Sequence, residues 1–434
     1  MPLDHRRPKL AIASLTARET MVFRFLIVIC SLFTVNLVFY VILRVAFKSS
    51  YPFQDYFYRP QARFSDFKRD YYMWNGVTDA EKEIYRAQAT TLDPFPIWNL
   101  WHFPFNLIPR EGSALICYTV SGFLCIASGI FNLLHGVRRS LRLTSATLFT
   151  LLSYPSQFVL ERGNVEFVAF LFACLYLRFR RDRPILSVLF LAMSIGVKPW
   201  MIVLIILELK ERNFLRIVMC GVTYIVEIIA VPLILRLVSH RSLANFWSLQ
   251  PQRSHFGNYN ETYNSENLGV AFGHSLYGAL KIVIQSLSNR TLEAPPNFAR
   301  TYSLAILLLF LLLLIFIRVD RVSIELGTVL LVLMAIFAPF VSADYKLLYV
   351  FIALGLSMSA VEKIPNLMKW SLMIPLAALA SGKSFIRLDL LLNLHYPDPV
   401  MSGVIISPLL AVGLAIQFVR IAVSAAEPPI LKGP

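Results

Sequence analysis

Residues 304–317 read LAILLLFLLLLIFI, fourteen consecutive positions without a polar side chain. A helix needs roughly 20 mainly apolar residues to cross a hydrocarbon core of about 30 Å, and this run with its flanks comes close. Windows of the same kind recur between residues 21 and 423. Of the 434 residues, 57% are hydrophobic and 15% charged. Soluble domains run nearer about 45–50% apolar and about 25% charged, so lipid is the simplest cover for the excess. The net charge of +15 does not point to nucleic acid, because Lys and Arg fall in short clusters between apolar runs, where orientation signals sit. The five cysteines, Cys30, Cys117, Cys125, Cys174 and Cys220, each lie in an apolar stretch and read as small buried hydrophobes. They form no disulfide framework or metal-binding spacing.

The pattern predicts an all-α polytopic membrane protein of about twelve passes. A basic tail, residues 1–21, predicts a cytoplasmic N-terminus, and the apolar run after it is long enough to stay as an anchor. The transmembrane domain then occupies residues 22–423, and residues 424–434 form a second cytoplasmic tail. Two long polar stretches, residues 48–112 and 239–300, become outer loops. The first ends in an aromatic stretch, residues 95–107, suited to a membrane interface. Residues 143–160 and 165–177 read as the third and fourth spans, joined by the corner Glu161-Arg162-Gly163-Asn164.

Residues 184–207 pose a parity problem. Crossed once, this run would put the basic turn at residues 210–216 outside, against the positive-inside rule. Lys198-Pro199 interrupts it. Proline breaks the helix ladder, and a mid-membrane lysine costs about 2.5–3.5 kcal/mol on insertion scales. Two short segments with Lys198-Pro199 at an outer tip remove both conflicts. A broken helix needs protein or a watery cavity around it, so the argument implies a polar cavity near Lys198. No internal repeat is evident.

Polar residues that could carry chemistry gather on the outer side. Asp66 and Asp70 lie among aromatics in FSDFKRDYY, residues 64–72. Asp55 and Asp79 lie in the same aromatic-rich loop. A carboxylate beside aromatic surface is partly desolvated and more basic, able to take a proton from a hydroxyl; the plainer reading of any one of the four is a solvated loop aspartate. Arg162 could hold a phosphate through its planar fork, or close an ion pair within the corner while Asn164 starts a helix. Lys198 could snorkel to the interface, a reading weakened by the proline that follows it. Lys346 beside Asp344 suits a ligand or a simple ion pair. No metal motif, phosphate loop or nucleophile elbow is present.

The order of these features resembles the GT-C superfamily of membrane glycosyltransferases, most closely family 87, the polyprenyl-phosphate-mannose-dependent type. Asp66 with Tyr71 takes the place of the family's aspartate and tyrosine in the first outer loop. Tyr154-Pro155 precedes Gly163-Asn164 where the family has a proline-containing span and a Gly-Gln or Gly-Asn corner. A basic turn at residues 178–183, a small-residue segment at 187–196 and Lys198-Pro199 follow in order. Asn264-Ser265 with Gly269, and Pro339 to Tyr345, resemble later elements. The corner departs from the family in carrying Glu-Arg before Gly, and the five-residue step from Asp66 to Tyr71 keeps Asp70 as a rival.

The resemblance implies a GT-C-like helical bundle in a cell (inner) membrane, with a large first outer loop. It implies inverting transfer of a hexose, mannose foremost, from a polyprenyl-phosphate sugar donor to a lipid or glycan acceptor. Asp66 would be the general base. Arg162, Asn164, Lys198, Asn264 and Lys346 would bind the donor's phosphate and sugar, with no cofactor or metal. Two other classes fit a polytopic chain. A polysaccharide polymerase or ligase would centre on late-loop residues such as Arg253, His255 and His274. A transporter or flippase would show paired intramembrane charges, for which Glu227 is the main candidate.

Overall fold

The computed structural model describes residues 15–47, 64–75, 96–239, 273–288, 297–318, 323–339, 344–360, 364, 366–381 and 403–424. They form helices and no β-strand. In chain order these are α1 (Ala17–Phe47), α2 (Ser65–Asn75), α3 (Pro96–Asn106), α4 (Glu111–Leu133), α5 (Arg139–Leu152), α6 (Tyr154–Arg162), α7 (Glu166–Phe179) and α8 (Pro184–Val197). A 3₁₀ segment, Pro199–Ile205, leads into α9 (Ile206–Lys210), α10 (Phe214–Ser239), α11 (Leu276–Ser288), α12 (Phe298–Arg318) and α13 (Ile324–Phe337). A second 3₁₀ segment, Asp344–Tyr349, opens α14 (Val350–Ser359), followed by α15 (Asn366–Ser381) and α16 (Gly403–Ser424).

Five helices are long and apolar enough to cross a membrane: α1, α4, α10, α12 and α16. Their outer faces are apolar and uncovered. On α12, Leu304, Leu308 and Ile315 are each about 60% exposed, and Leu215 and Val218 of α10 are similar. So large an uncovered apolar surface belongs against lipid, and the chain is an all-α membrane protein. The shorter helices α7, α8, α13 and α14 lie inside this frame, with α13 and α14 almost wholly buried. At 14 residues, α7 and α8 are about 21 Å long, short of the hydrocarbon core, and they depend on neighbouring protein to cover their ends.

Two ends of the bundle differ in chemistry. At the arginine end Glu19 of α1 binds Arg138 at 2.7 Å, Glu208 of α9 binds Arg180 at 2.9 Å, and Glu325 of α13 binds Arg181 at 3.2 Å. At the other end, α2 packs on α3 and α6, and α3 packs on α4, α8 and α10. The chain reverses at Lys198-Pro199. Lys198 reaches Glu166 at the start of α7, whereas Glu208, ten residues on, sits beside Arg180 just past the end of α7. The break is extended at Lys198 (φ −143°, ψ 106°), because proline cannot donate to the ladder of α8.

Two expectations change in detail. Residues 143–160 are not one span. Helix α5 stops at Leu152, Ser153 is extended, and Pro155 starts the separate helix α6, because its missing N–H fits a first turn and not an interior. The aromatic stretch at residues 95–107 is a helix that buries Ile97, His102, Phe105 and Asn106 against protein, so much of it turns away from the membrane interface.

Candidate active site

The corner after α6 sets the geometry. Gly163 has φ +66°, and two reverse bonds close the helix: Gly163 N–H to the Leu160 carbonyl at 3.1 Å and Asn164 N–H to the Val159 carbonyl at 3.1 Å. Glycine takes this left-handed turn without a Cβ penalty. It also permits a close approach. A Cβ on Gly163 would stand 2.6 Å from Phe67 Cβ and 2.9 Å from the Phe67 nitrogen. The start of α2 therefore rests on the corner, tied by Phe64 N–H donating to the Glu161 carbonyl at 2.6 Å. The Tyr118 hydroxyl donates to the Gly163 carbonyl at 2.8 Å from below.

This contact delivers Asp66 to the corner's polar groups. Arg162 Nη2 donates to Asp66 Oδ1 at 3.1 Å, and Asn164 Nδ2 donates to Asp66 Oδ2 at 2.8 Å. The Asn164 side-chain oxygen accepts from Glu166 N–H at 3.0 Å, an Asx turn that fixes the amide's orientation. One side chain thus starts α7 and holds the carboxylate.

Lys198 joins from the hairpin tip, its Nζ 3.4 Å from Glu166 Oε2. The Glu166 side chain is fully buried, while the Lys198 side chain is 14% and that of Asp66 17% exposed. A buried carboxylate must be paired, and Lys198 is its ion partner. Lys346 interacts electrostatically with both Glu166 and Lys198. The 3₁₀ segment that carries it packs rings onto the same spot. Lys198 lies 5.8 Å from the Tyr345 ring and Lys346 5.7 Å from the Trp200 ring. Tyr345 stacks on Phe158 of α6, and Tyr349 donates to the Glu166 carbonyl at 3.3 Å. Three cations, Arg162, Lys198 and Lys346, gather around the carboxylates of Asp66 and Glu166 in a partly enclosed, aromatic-walled place. Such a site favours an anion carrying a polyol or lipid substituent.

Asp70, one turn further along α2, is placed differently. It is 2% exposed and lies 3.6 Å from His102 of α3, whose ring packs against those of Phe67 and Tyr118. It fastens α2 to α3 below the cluster. Asp55, Asp79, Asn264, Arg253 and His255 lie outside the described residues, as does the Asp344 side chain. His274 is buried with its ring 5.3 Å from that of Phe337. The ion pair of Arg162 runs across to Asp66. The sequence pattern gave Glu166 no role; its place in the first turn of a helix, two residues after the corner, was the available signal. Among the described residues no group of three or more His, Cys, Asp and Glu side chains is placed to hold a metal ion.

The fold and this cluster define a class: an all-α membrane protein with a cationic, carboxylate-bearing site at one end of its bundle. No family model matches the chain, and no curated protein and no solved structure was found to match it.

Proposed function

We propose that the protein is an integral membrane glycosyltransferase that transfers a hexose, mannose foremost, from a polyprenyl-phosphate sugar to a lipid or glycan acceptor with inversion. The observation that carries the reading is the convergence of Asp66, Arg162, Asn164, Lys198 and Lys346 on one place from distant parts of the chain. The apolar shell supports a multi-pass protein of a cell membrane. Helices that alternate between the bundle's two ends are in keeping with about twelve passes, a cytoplasmic N-terminus and an outward-facing site.

In this mechanism Lys198, Lys346 and Arg162 hold the donor's phosphate. Asp66 accepts the proton of an acceptor hydroxyl as its oxygen attacks the anomeric carbon. The bond from that carbon to the phosphate oxygen breaks, and the electron pair leaves on polyprenyl phosphate. The pairing of Arg162 with Asp66 gives the order of events. A carboxylate held by a guanidinium is a weak base. A donor phosphate that draws Arg162 to itself leaves Asp66 more basic, so donor binding and base activation are coupled.

The test is transfer by purified protein in lipid nanodiscs, given radiolabelled polyprenyl-phosphate mannose and a membrane lipid extract. Wild type transfers label, and Asp66→Asn loses about 10²–10⁴-fold in rate, the usual worth of a general base. Full activity in Asp66→Asn removes the base assignment. Absence of both binding and transfer with every polyprenyl-phosphate sugar offered removes the class. A transporter is the second reading, favoured by one observation: Glu227 is buried within α10, with neither carboxylate oxygen hydrogen-bonded among the described residues. Uptake into proteoliposomes that is abolished by Glu227→Gln, without sugar transfer, would establish it.

A further inference from the structure

The end opposite the candidate site carries a cavity of about 320 Å³, which the transferase reading does not use. Leucines of α4, α7, α9 and α14 line part of it, and arginines close the rest. Arg18 comes from the first turn of α1, and Arg178, Arg180 and Arg181 come from the end of α7. The acidic residues in the lining are Asp182 and Glu325. Four arginines against two carboxylates leave two positive charges in excess. Behind the lining, Glu208 and Glu211 pair with Arg180 and Arg216, while Arg142 hydrogen-bonds the Phe131 carbonyl; counting these too, six arginines stand against four carboxylates and an excess of two positive charges remains.

The arginines are not equivalent. Arg178 binds Asp182 at 2.8 Å, Arg181 binds Glu325 at 3.2 Å, and Arg180 binds Glu208 at 2.9 Å and Glu211 at 2.7 Å. Arg18 has no carboxylate partner among the described residues. It approaches the turn at Gly136, where a Cβ would come within 2.9 Å of its Nη1. His135, in the same turn, lines the cavity. Its pKa is lowered by burial first, then by Arg178, Arg18 and Arg142, with Asp182 opposing. The three arginines thus stand close enough to His135 to add to the effect of burial in disfavouring its charged form.

We propose that this arginine-end cavity binds the phosphate group of an anionic ligand, presented by a membrane lipid headgroup or by a soluble phosphate ester, with Arg18 as the principal contact. An arginine without a counter-ion offers its donors to phosphate at no cost to an existing pair. The place suits a headgroup as well. Basic pockets between the ends of membrane helices take anionic lipids, and the leucines continue toward the apolar bundle. The proposal concerns the opposite end from Asp66 and stands whatever chemistry occurs there.

The experiment uses full-length, delipidated protein in nanodiscs of phosphatidylcholine alone, of phosphatidylcholine with phosphatidylglycerol, and of phosphatidylcholine with inorganic phosphate added. Thermal midpoint and native mass spectrometry read binding, since a ligand that binds only the folded state stabilises it. Stabilisation by phosphatidylglycerol alone assigns the cavity to a lipid headgroup. Stabilisation by inorganic phosphate assigns it to a soluble ester. Arg18→Gln weakens either about tenfold, the worth of one charge-assisted contact. Arg139→Ala, an exposed charge in the neighbouring first turn of α5 that does not line the cavity, leaves binding unchanged. The proposal is overturned by no stabilisation from either additive, by wild-type binding in Arg18→Gln, or by an equal loss in Arg139→Ala, which would mean diffuse surface attraction.

Discussion

Replacing Gly163 by alanine tests whether the corner positions Asp66. The residue sits at φ +66°, where an L side chain costs about 1–2 kcal/mol. Its new Cβ would meet Phe67 Cβ at 2.6 Å and the Phe67 backbone nitrogen at 2.9 Å. The second contact is with backbone, so the start of α2 must move as a unit. Overpacking of this kind costs a further about 1–3 kcal/mol. The sum, about 2–5 kcal/mol, is a large share of a typical folding stability of about 5–15 kcal/mol. The displacement also lengthens the 2.8 Å bond from Asn164 to Asp66. The assay is thermal unfolding together with sugar transfer in the same nanodiscs. Gly413→Ala is the control, because that glycine lies inside α16 with nothing within 4 Å of the added carbon. Alanine there gains about 0.5–1 kcal/mol of helix stability. Gly163→Ala is expected to lower the midpoint by several degrees and to lower activity further in the protein that remains folded. Equal midpoints for the two variants, or a stable Gly163→Ala protein with full activity, would refute the reasoning.

Three other outcomes follow from named contacts. In a variant stripped of its five cysteines, Lys198→Cys and Asp66→Cys should react with a membrane-impermeant maleimide from the same side, and labelling from opposite sides would break the hairpin. Glu208 is buried and accepts from the Tyr176 hydroxyl at 2.7 Å, Arg180 at 2.9 Å and Arg216 at 3.2 Å; Glu208→Gln should destabilise the protein by about 3–5 kcal/mol, as loss of one partner in a buried ionic group does, and an unshifted unfolding midpoint would contradict it. Glu166→Gln removes the carboxylate 3.4 Å from Lys198, so inhibition by polyprenyl phosphate should tighten on the order of tenfold, and a weaker inhibitor constant would show that Glu166 is not a counter-ion to the anion site.

The helical class was legible because burial in lipid leaves a one-dimensional record. Runs such as residues 304–317 carry it without reference to any other part of the chain. The Lys198-Pro199 reversal was legible for a related reason: charge and a missing N–H in one apolar run conflict locally, and only a break resolves the conflict. Contacts across the chain leave no such record. Asp66 meets Arg162 across 96 residues and Asn164 across 98, and no periodicity in FSDFKRDYY says which aspartate will do so. Asp66 and Asp70 are four residues apart and share one helix face, so a helical wheel treats them alike. What separates them is where α2 lands. Its first turn rests on Gly163, which lacks the side chain that would hold it off, and its second turn lies beneath His102.

The same limit explains Glu166 and Arg162. An acid in the first turn of a helix usually answers the helix dipole at an exposed end, and the sequence gives no sign that Glu166 is wholly enclosed. Its burial follows from three elements meeting there: α7, the hairpin tip and the segment Asp344–Tyr349. Once enclosed it requires Lys198, and Lys198 is then held near the corner that holds Asp66. Arg162 could be read from its neighbours as an ion pair within the corner or as a phosphate ligand. The pair it makes is with the aspartate itself. In the proposed transfer a donor phosphate would compete with Asp66 for the guanidinium, which would give the two readings of Arg162 a single physical basis. On the proposed mechanism, a bound phosphate would draw the arginine to itself and leave the Asp66 carboxylate free for the acceptor hydroxyl.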